Sequence, residues 1–225
     1  MQVQDKRLFY PSRLFNEFYC LARYIFVLDQ TDYFDELYKK SDDPWEYEQR
    51  WYEDRKRQIC LALLLKPVYS KVLEIGCSNG VFSQHLAQRA KQLICLDANS
   101  KAIQLAKTRL ENLSHVQVIQ QRIPDQFPAG SFDLIIISEI MYYLKPEELS
   151  RLIEKVENSL TSQGVVLCCH WRYPIDGFVL TGEKVHHLLK QHFHLQHYLN
   201  VNDPDFIIDL WNKETTTLAF KEGLI

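Results

Sequence analysis

The run Glu74-Ile75-Gly76-Cys77-Ser78-Asn79-Gly80 sets an acid, two glycines and three small side chains between an apolar stretch and a helical pattern. Glycine at Gly76 and Gly80 lets the backbone approach a ligand closely and tolerates positive φ. Asp97 closes the next apolar run, and a carboxylate there can accept two hydrogen bonds from ribose hydroxyls. Loop and acid together point to a cofactor built on a nucleoside, whereas either alone would be a weak signal. A dinucleotide loop ordinarily reads Gly-x-Gly-x-x-Gly, with a pyrophosphate over the helix that follows. Here Ser78 replaces the middle glycine and Glu74 precedes the loop, so a pyrophosphate would meet a like charge. Further along, Glu139 and His170 each stand at the end of an apolar run, where a carboxylate or an imidazole can take a proton.

These groups need a frame. From residue 71 the chain alternates apolar runs at 72–75, 93–96, 116–119, 132–137 and 165–170 with helical periodicity at 81–90, 100–113, 147–160 and 181–191. Gly164 reads as the stop of the third helix of that series. The stretch 132–137 is almost wholly apolar, as in a central strand covered on both faces. Alternation of this length implies an α/β fold with a doubly wound, mostly parallel, Rossmann-like sheet. Two consecutive strands near 193–200 and 205–211, joined by Asn202-Asp203-Pro204, predict an antiparallel C-terminal edge hairpin. Residues 32–65 read as helices forming a lid, with Ser41-Asp42-Asp43-Pro44 as a helix start signal, over a core at 71–212 within a domain at 32–225. Residues 1–31 are expected to be a helical extension. Its Leu14, Phe15, Phe18, Leu21, Ala22, Ile25 and Phe26 share one face, suited to packing on its own domain or to a protein partner.

Composition narrows the class of partner. An apolar fraction of 46% and a charged fraction of 24% are those of an ordinary globular protein. The net charge of −3 supplies no global field for nucleic acid or an anionic membrane. No stretch is long and apolar enough to span a bilayer, no secretory signal is visible, and a cytoplasmic location is expected. The six cysteines, Cys20, Cys60, Cys77, Cys95, Cys168 and Cys169, form no Cys-x-x-Cys pair and read as small buried hydrophobes. His192 and His194 can share a strand face, but nothing completes a ligand set, so no metal is expected.

The pattern acid-x-Gly-x-x-x-Gly at 74–80 resembles motif I of class I methyltransferases. The resemblance continues at Leu96-Asp97 and at Phe132-Asp133-Leu134-Ile135-Ile136. Other runs are similar to the NodS-like methyltransferases: Tyr33-Phe34-x-x-Leu37-Tyr38, Asp42-Asp43-Pro44-Trp45, Trp51-Tyr52-Glu53-x-x-Lys56-Arg57, Ser138-Glu139-x-x-Tyr142-Tyr143-Leu144 and His170-Trp171-Arg172. Leu180-Thr181-Gly182 and Asp209-Leu210-Trp211 extend the likeness over roughly 32–212. One departure stands out. The family commonly has an acid two positions before a proline, to hold the adenine amino group, and here Arg122 precedes Ile123-Pro124.

The resemblance implies S-adenosylmethionine as cofactor, held by Glu74, Gly76, Cys77, Ser78, Gly80, Asp97, Ala98, Ser138 and the backbone of Ile123. It implies a small-molecule acceptor, foremost an amine on an amino sugar or oligosaccharide, with methyl transfer to oxygen left open. An amine must be unprotonated when it attacks, which gives Glu139, His170 and Tyr52 candidate catalytic roles. Glu53, Tyr142, Tyr143, Trp171 and Arg172 are candidates for the acceptor pocket, although each serves equally well as packing or a surface contact. A non-catalytic interaction protein and an NAD-linked oxidoreductase are the rivals from other classes.

Overall fold

The computed structural model describes residues 30–225. The amphipathic stretch expected between 14 and 26 lies outside them. Seven strands form one sheet: β1 (Tyr69–Ile75), β2 (Ala90–Asp97), β3 (Val116–Gln120), β4 (Phe132–Ser138), β5 (Leu160–Trp171), β6 (Gln196–Asn202) and β7 (Phe206–Asn212). Their spatial order is β3-β2-β1-β4-β5-β7-β6. All pairs from β3 to β5 are parallel, and β7 runs antiparallel to both β5 and β6. The doubly wound sheet and its C-terminal edge hairpin are therefore as the sequence predicts.

Strand alternation divides the core. Leu73, Ile75, Ile135 and Ile137 face one side, against the apolar stripes of α5 (Pro146–Asn158) and α6 (Gly182–His192). Val72, Leu134 and Ile136 face the other, against α3 (Val81–Leu86), α4 (Ser100–Leu110) and α2 (Trp51–Ala62). On α5 the buried residues Leu149, Leu152, Ile153 and Val156 fall at one-turn spacing, each stabilising by about 1.5–3 kcal/mol on burial. The first described helix, α1 (Gln30–Lys40), packs Tyr33 and Phe34 on the α5–α6 side.

Two local expectations give way to side-chain chemistry. The signal at 41–44 opens no helix, because both Asp43 carboxylate oxygens accept backbone N–H groups from Tyr47 and Glu48. That pairing makes a turn, and α2 starts only at Trp51. Gly164 does not stop α5 either. It lies inside β5, where pairing with β4 shifts register, and a Cβ there would sit 2.8 Å from the Leu160 Cβ.

The chain order reverses between β1 and β4, so the crevice at their carboxyl ends is where a doubly wound sheet binds ligands. The Leu180-Thr181-Gly182 run has a structural role nearby. Thr181 caps α6 by accepting from the Lys184 N–H, and a Cβ at Gly182 would lie 2.1 Å from the Trp171 carbonyl oxygen. Helix propensity alone favours Gly182→Ala by up to about 1 kcal/mol. The backbone collision reverses that sign, so urea denaturation is expected to show Gly182→Ala destabilised by about 1–3 kcal/mol. An unchanged or raised midpoint would contradict this packing.

Candidate active site

β1 ends at Ile75 and the loop turns back at once, with the Gly76 and Cys77 N–H groups both donating to the Leu96 carbonyl at 2.8 and 2.9 Å. Gly76 has φ +82°, and a Cβ there would fall 2.2 Å from Ile140 Cγ2, so only glycine fits. Ser78 is also left-handed, at φ +50°, held by its N–H to Asp97 Oδ2 at 2.9 Å and by Tyr38 Oη against its Oγ at 2.6 Å. The second oxygen of Asp97 accepts from the Asn99 N–H at 2.9 Å, and Asn99 in turn caps α4. Burial raises Asp97 above the ordinary carboxylate value, with the backbone donors pulling back. Gly80 stands at the N-cap of α3 with φ +81°, shaping the loop without lining the cavity.

This loop floors a cavity of about 1120 Å³ of empty space, counted out to its open mouth. Its lining mixes aromatic faces with a few converging polar groups, as small-molecule sites do. Gly76, Ser78, Asp97, Ala98, Ile123 and Ser138 all line it. Glu74 and Cys77 line a smaller annex behind the turn. Tyr33, Phe34, Trp45 and Tyr143 close the cavity from the lid side, with Tyr33, Phe34 and Tyr143 packed ring to ring. Arg122 donates to Thr31 Oγ1 and Gln30 Oε1, so the residue that departs from the family pattern ties the lid to the core. Beside it, Gln121 lines the cavity and its buried Oε1 accepts no hydrogen bond from the described residues.

The opposite end is charged. Lys56 is buried, with Nζ 2.6 Å from Glu139 Oε1, 3.0 Å from Glu53 Oε2 and 5.0 Å from the centre of the Tyr52 ring. Burial alone would pull the ammonium down, but Glu139 and Glu53 hold it well above the usual lysine value. Glu53 is pushed up by burial, with Lys56 opposing. The other oxygen of Glu139 accepts from Tyr142 Oη at 2.5 Å and the Trp171 N–H at 2.8 Å. Glu139 itself sits at φ +59°, a conformation costing on the order of 1–3 kcal/mol in a non-glycine residue, and these donors hold it there. The Tyr52 ring meets Trp171 edge-on at 5.8 Å, and its hydroxyl has no partner among the described residues.

Two of the residues proposed from sequence lie elsewhere. His170 is wholly buried, and burial draws it well below the ordinary imidazole value. Its Nε2 accepts from the Met141 N–H at 3.3 Å, so Nδ1 carries the proton to His186 Nε2 at 3.0 Å. His186 then donates from Nδ1 to Asp209 Oδ2 at 2.7 Å. That buried chain fixes the turn after Glu139 and offers no base to the cavity. Arg172 is likewise structural: it pairs with Glu183 on α6, Asn202 and the Asp203 carbonyl, fastening β5 to the edge hairpin. Lys56 and Arg57 were read in the sequence only as part of a family run, with no role given to either, and Gln121 went unread. Glu53 and Lys56 are legible as a helical i, i+3 pair, but Glu139 lies 83 residues from Lys56.

The five described cysteines are buried and unpaired. Among the described residues no helix is long and apolar enough to cross a membrane, and no three metal-ligating side chains converge.

Residues 31–201 match the family described as nodulation protein S, NodS. The chain belongs to the NodS family. A Sinorhizobium fredii nodulation protein S is 30% identical over 120 residues, 52% of this chain and 54% of that protein. The chain thus spans about half the length of the curated relatives it matches. The N-methyltransferase NodS of Bradyrhizobium japonicum, solved with S-adenosyl-L-homocysteine, superposes with TM-score 0.73 at 26% identity, covering 82% of this chain and 98% of that one. A provisionally assigned methyltransferase from Pseudomonas syringae is 40% identical, with TM-score 0.65 over 72% of this chain and 99% of its own. The seven-stranded sheet of this NodS-family chain is the Rossmann-like methyltransferase fold.

Lys56→Met would leave Glu53 and Glu139 facing each other without their cation. We expect a loss of about 3–5 kcal/mol near neutral pH. Uncompensated carboxylates have raised folded-state pKa values, so the loss should grow as pH rises and shrink towards pH 5. Thermal unfolding of both proteins across that range tests it, and a pH-independent deficit would contradict it.

Proposed function

We propose that this chain is an S-adenosylmethionine-dependent methyltransferase acting on an amine of a small molecule, foremost an amino sugar or oligosaccharide. The observation that carries the reading is one continuous cavity with a nucleoside-suited end and an anionic end, joined beneath the glycine turn. The donor set suits the cofactor. Asp97 stands at the floor with lone pairs left for ribose hydroxyls, and the free Oε1 of Gln121 suits an adenine amino group, where the acid replaced by Arg122 would serve in relatives. Ile123 offers backbone to the same base. Glu74 keeps Oε2 without a partner and is raised by burial to about 7, so it suits an ammonium and would repel a pyrophosphate.

When bound, the cofactor supplies an electrophilic methyl group on a sulfonium, and the protein's task is to align, desolvate and deprotonate the acceptor. Glu53, Glu139 and Lys56 together carry one net negative charge, which favours an acceptor arriving as an ammonium. Glu139 is occupied by Lys56, Tyr142 and Trp171, so it serves best as a fixed anion. Glu53 has Lys56 alone, and its raised affinity for a proton makes it the better base. Tyr52, Tyr142 and Trp171 wall this end and keep water from the reacting atoms.

Calorimetric titration with S-adenosylhomocysteine is expected to give one-to-one binding that Asp97→Ala weakens about ten- to a hundredfold. A labelled-methyl assay across deacetylated chito-oligosaccharides, simple amines and neutral sugars should then favour the amines. No heat with S-adenosylhomocysteine, or transfer confined to hydroxyl acceptors, would overturn the reading. Glu53→Gln is expected to lower turnover by about 10²–10⁴-fold while cofactor affinity stays near that of the parent. Full turnover in that variant would remove the base.

A further inference from the structure

An annex shares Gly76, Ser78, Glu53 and Lys56 with the cavity and is walled further by Arg57, Glu74 and Asn79. Three of its polar groups have buried atoms without a partner among the described residues: Arg57 Nε, Glu74 Oε2 and Asn79 Oδ1. One is a cationic donor and two are acceptors, one of them a carboxyl. This combination complements a carboxylate and an ammonium carried on the same carbon, the polar end of an α-amino acid.

Two cations line the annex, and their bonding separates them. Lys56 is spent on Glu53 and Glu139. Arg57 is not. It is 7% exposed, and its Nη1 donates to the Tyr47 carbonyl at 2.8 Å, which locks the guanidinium plane. Its Nη2 makes only a long 3.3 Å contact with Asp54, whose side chain is 38% exposed and free to step back into water. The Nε–Nη2 edge is therefore a two-donor fork with no strong acceptor. Leaving such a donor buried and unpaired is costly, and a ligand carboxylate removes the cost.

We propose that Arg57 receives the carboxylate of the cofactor's amino-acid end through its Nε–Nη2 edge. This rests on the S-adenosylmethionine reading above and adds a residue from the lid helix to it. Asn79 and Glu74 take the ammonium on the facing wall of the annex. Helix α2 then serves both ends of the site: Arg57 closes on the cofactor, while Glu53 and Lys56 of the same helix form the acceptor end.

Titration calorimetry with two probes tests it: S-adenosylhomocysteine, and 5′-methylthioadenosine, which keeps the adenosine and sulfur but lacks the amino-acid group. Arg57→Gln is expected to weaken S-adenosylhomocysteine by about ten- to a hundredfold and leave 5′-methylthioadenosine unchanged, with Arg57→Lys recovering part of the loss. Equal affinity of parent and Arg57→Gln for S-adenosylhomocysteine would overturn the assignment while the cofactor reading stands. Failure of the parent to bind either probe would overturn both. Should the variants not fold, decarboxylated S-adenosylhomocysteine is titrated against the parent chain. Loss of affinity supports the assignment, and affinity equal to the intact ligand overturns it.

Discussion

The carboxylate of Glu139 gathers donors from three distant parts of the chain: Lys56 on α2, Tyr142 in the turn after β4, and the Trp171 N–H at the end of β5. Because Lys56 also holds Glu53, a carboxylate pair is kept in a pocket that would otherwise expel one of its charges. The left-handed backbone at Glu139 is the cost of aiming the side chain there. The buried His170–His186–Asp209 chain supports the same turn, with Asp209 held down to about 2: its burial is outweighed by hydrogen bonds from His186, Asn200 and His197.

Seen from this anchor, the cavity has two chemically distinct ends that share one wall. The loop after β1 presents backbone and unpartnered acceptors, and its tight turn against Ile140 admits no side chain at Gly76. Charged groups concentrate on α2 and at the end of β4, the end proposed to take the acceptor. Tyr38 on Ser78, and Arg122 on Gln30 and Thr31, latch the lid at the nucleoside end. The aromatic cluster around Phe34 and Tyr143 seals the space between.

The end proposed for the nucleoside was legible in the sequence because its residues are local. Glu74, Gly76 and Ser78 sit in one loop, and Asp97 ends the adjacent strand, so spacing alone announces them. The acceptor end was only partly legible. Glu139, Tyr142, Glu53 and Trp171 were read as candidates, whereas Lys56, the cation between Glu53 and Glu139, was read only within a family run and given no role. His170 misled for a physical reason: a histidine ending a strand beside an active site has the right address, but its ring turns inward to a second histidine. Gln121 escaped notice because a glutamine carries no distinctive spacing, and Arg122 drew attention to the wrong side chain.

By itself, then, the sequence determined the sheet, its antiparallel edge and the chemistry of the loop after β1, since hydrophobic periodicity and glycine placement act over short distances. It also established the stock of charges near the site. Tertiary structure decided which of them meet. The turn at 43–48, the register shift at Gly164, the inward turn of His170 and the Lys56–Glu139 pair all depend on contacts made by packing. Burial then assigns each ionisable group its charge, because desolvation and the identity of the nearest partner, not the residue type, set the balance between protonated and ionised forms.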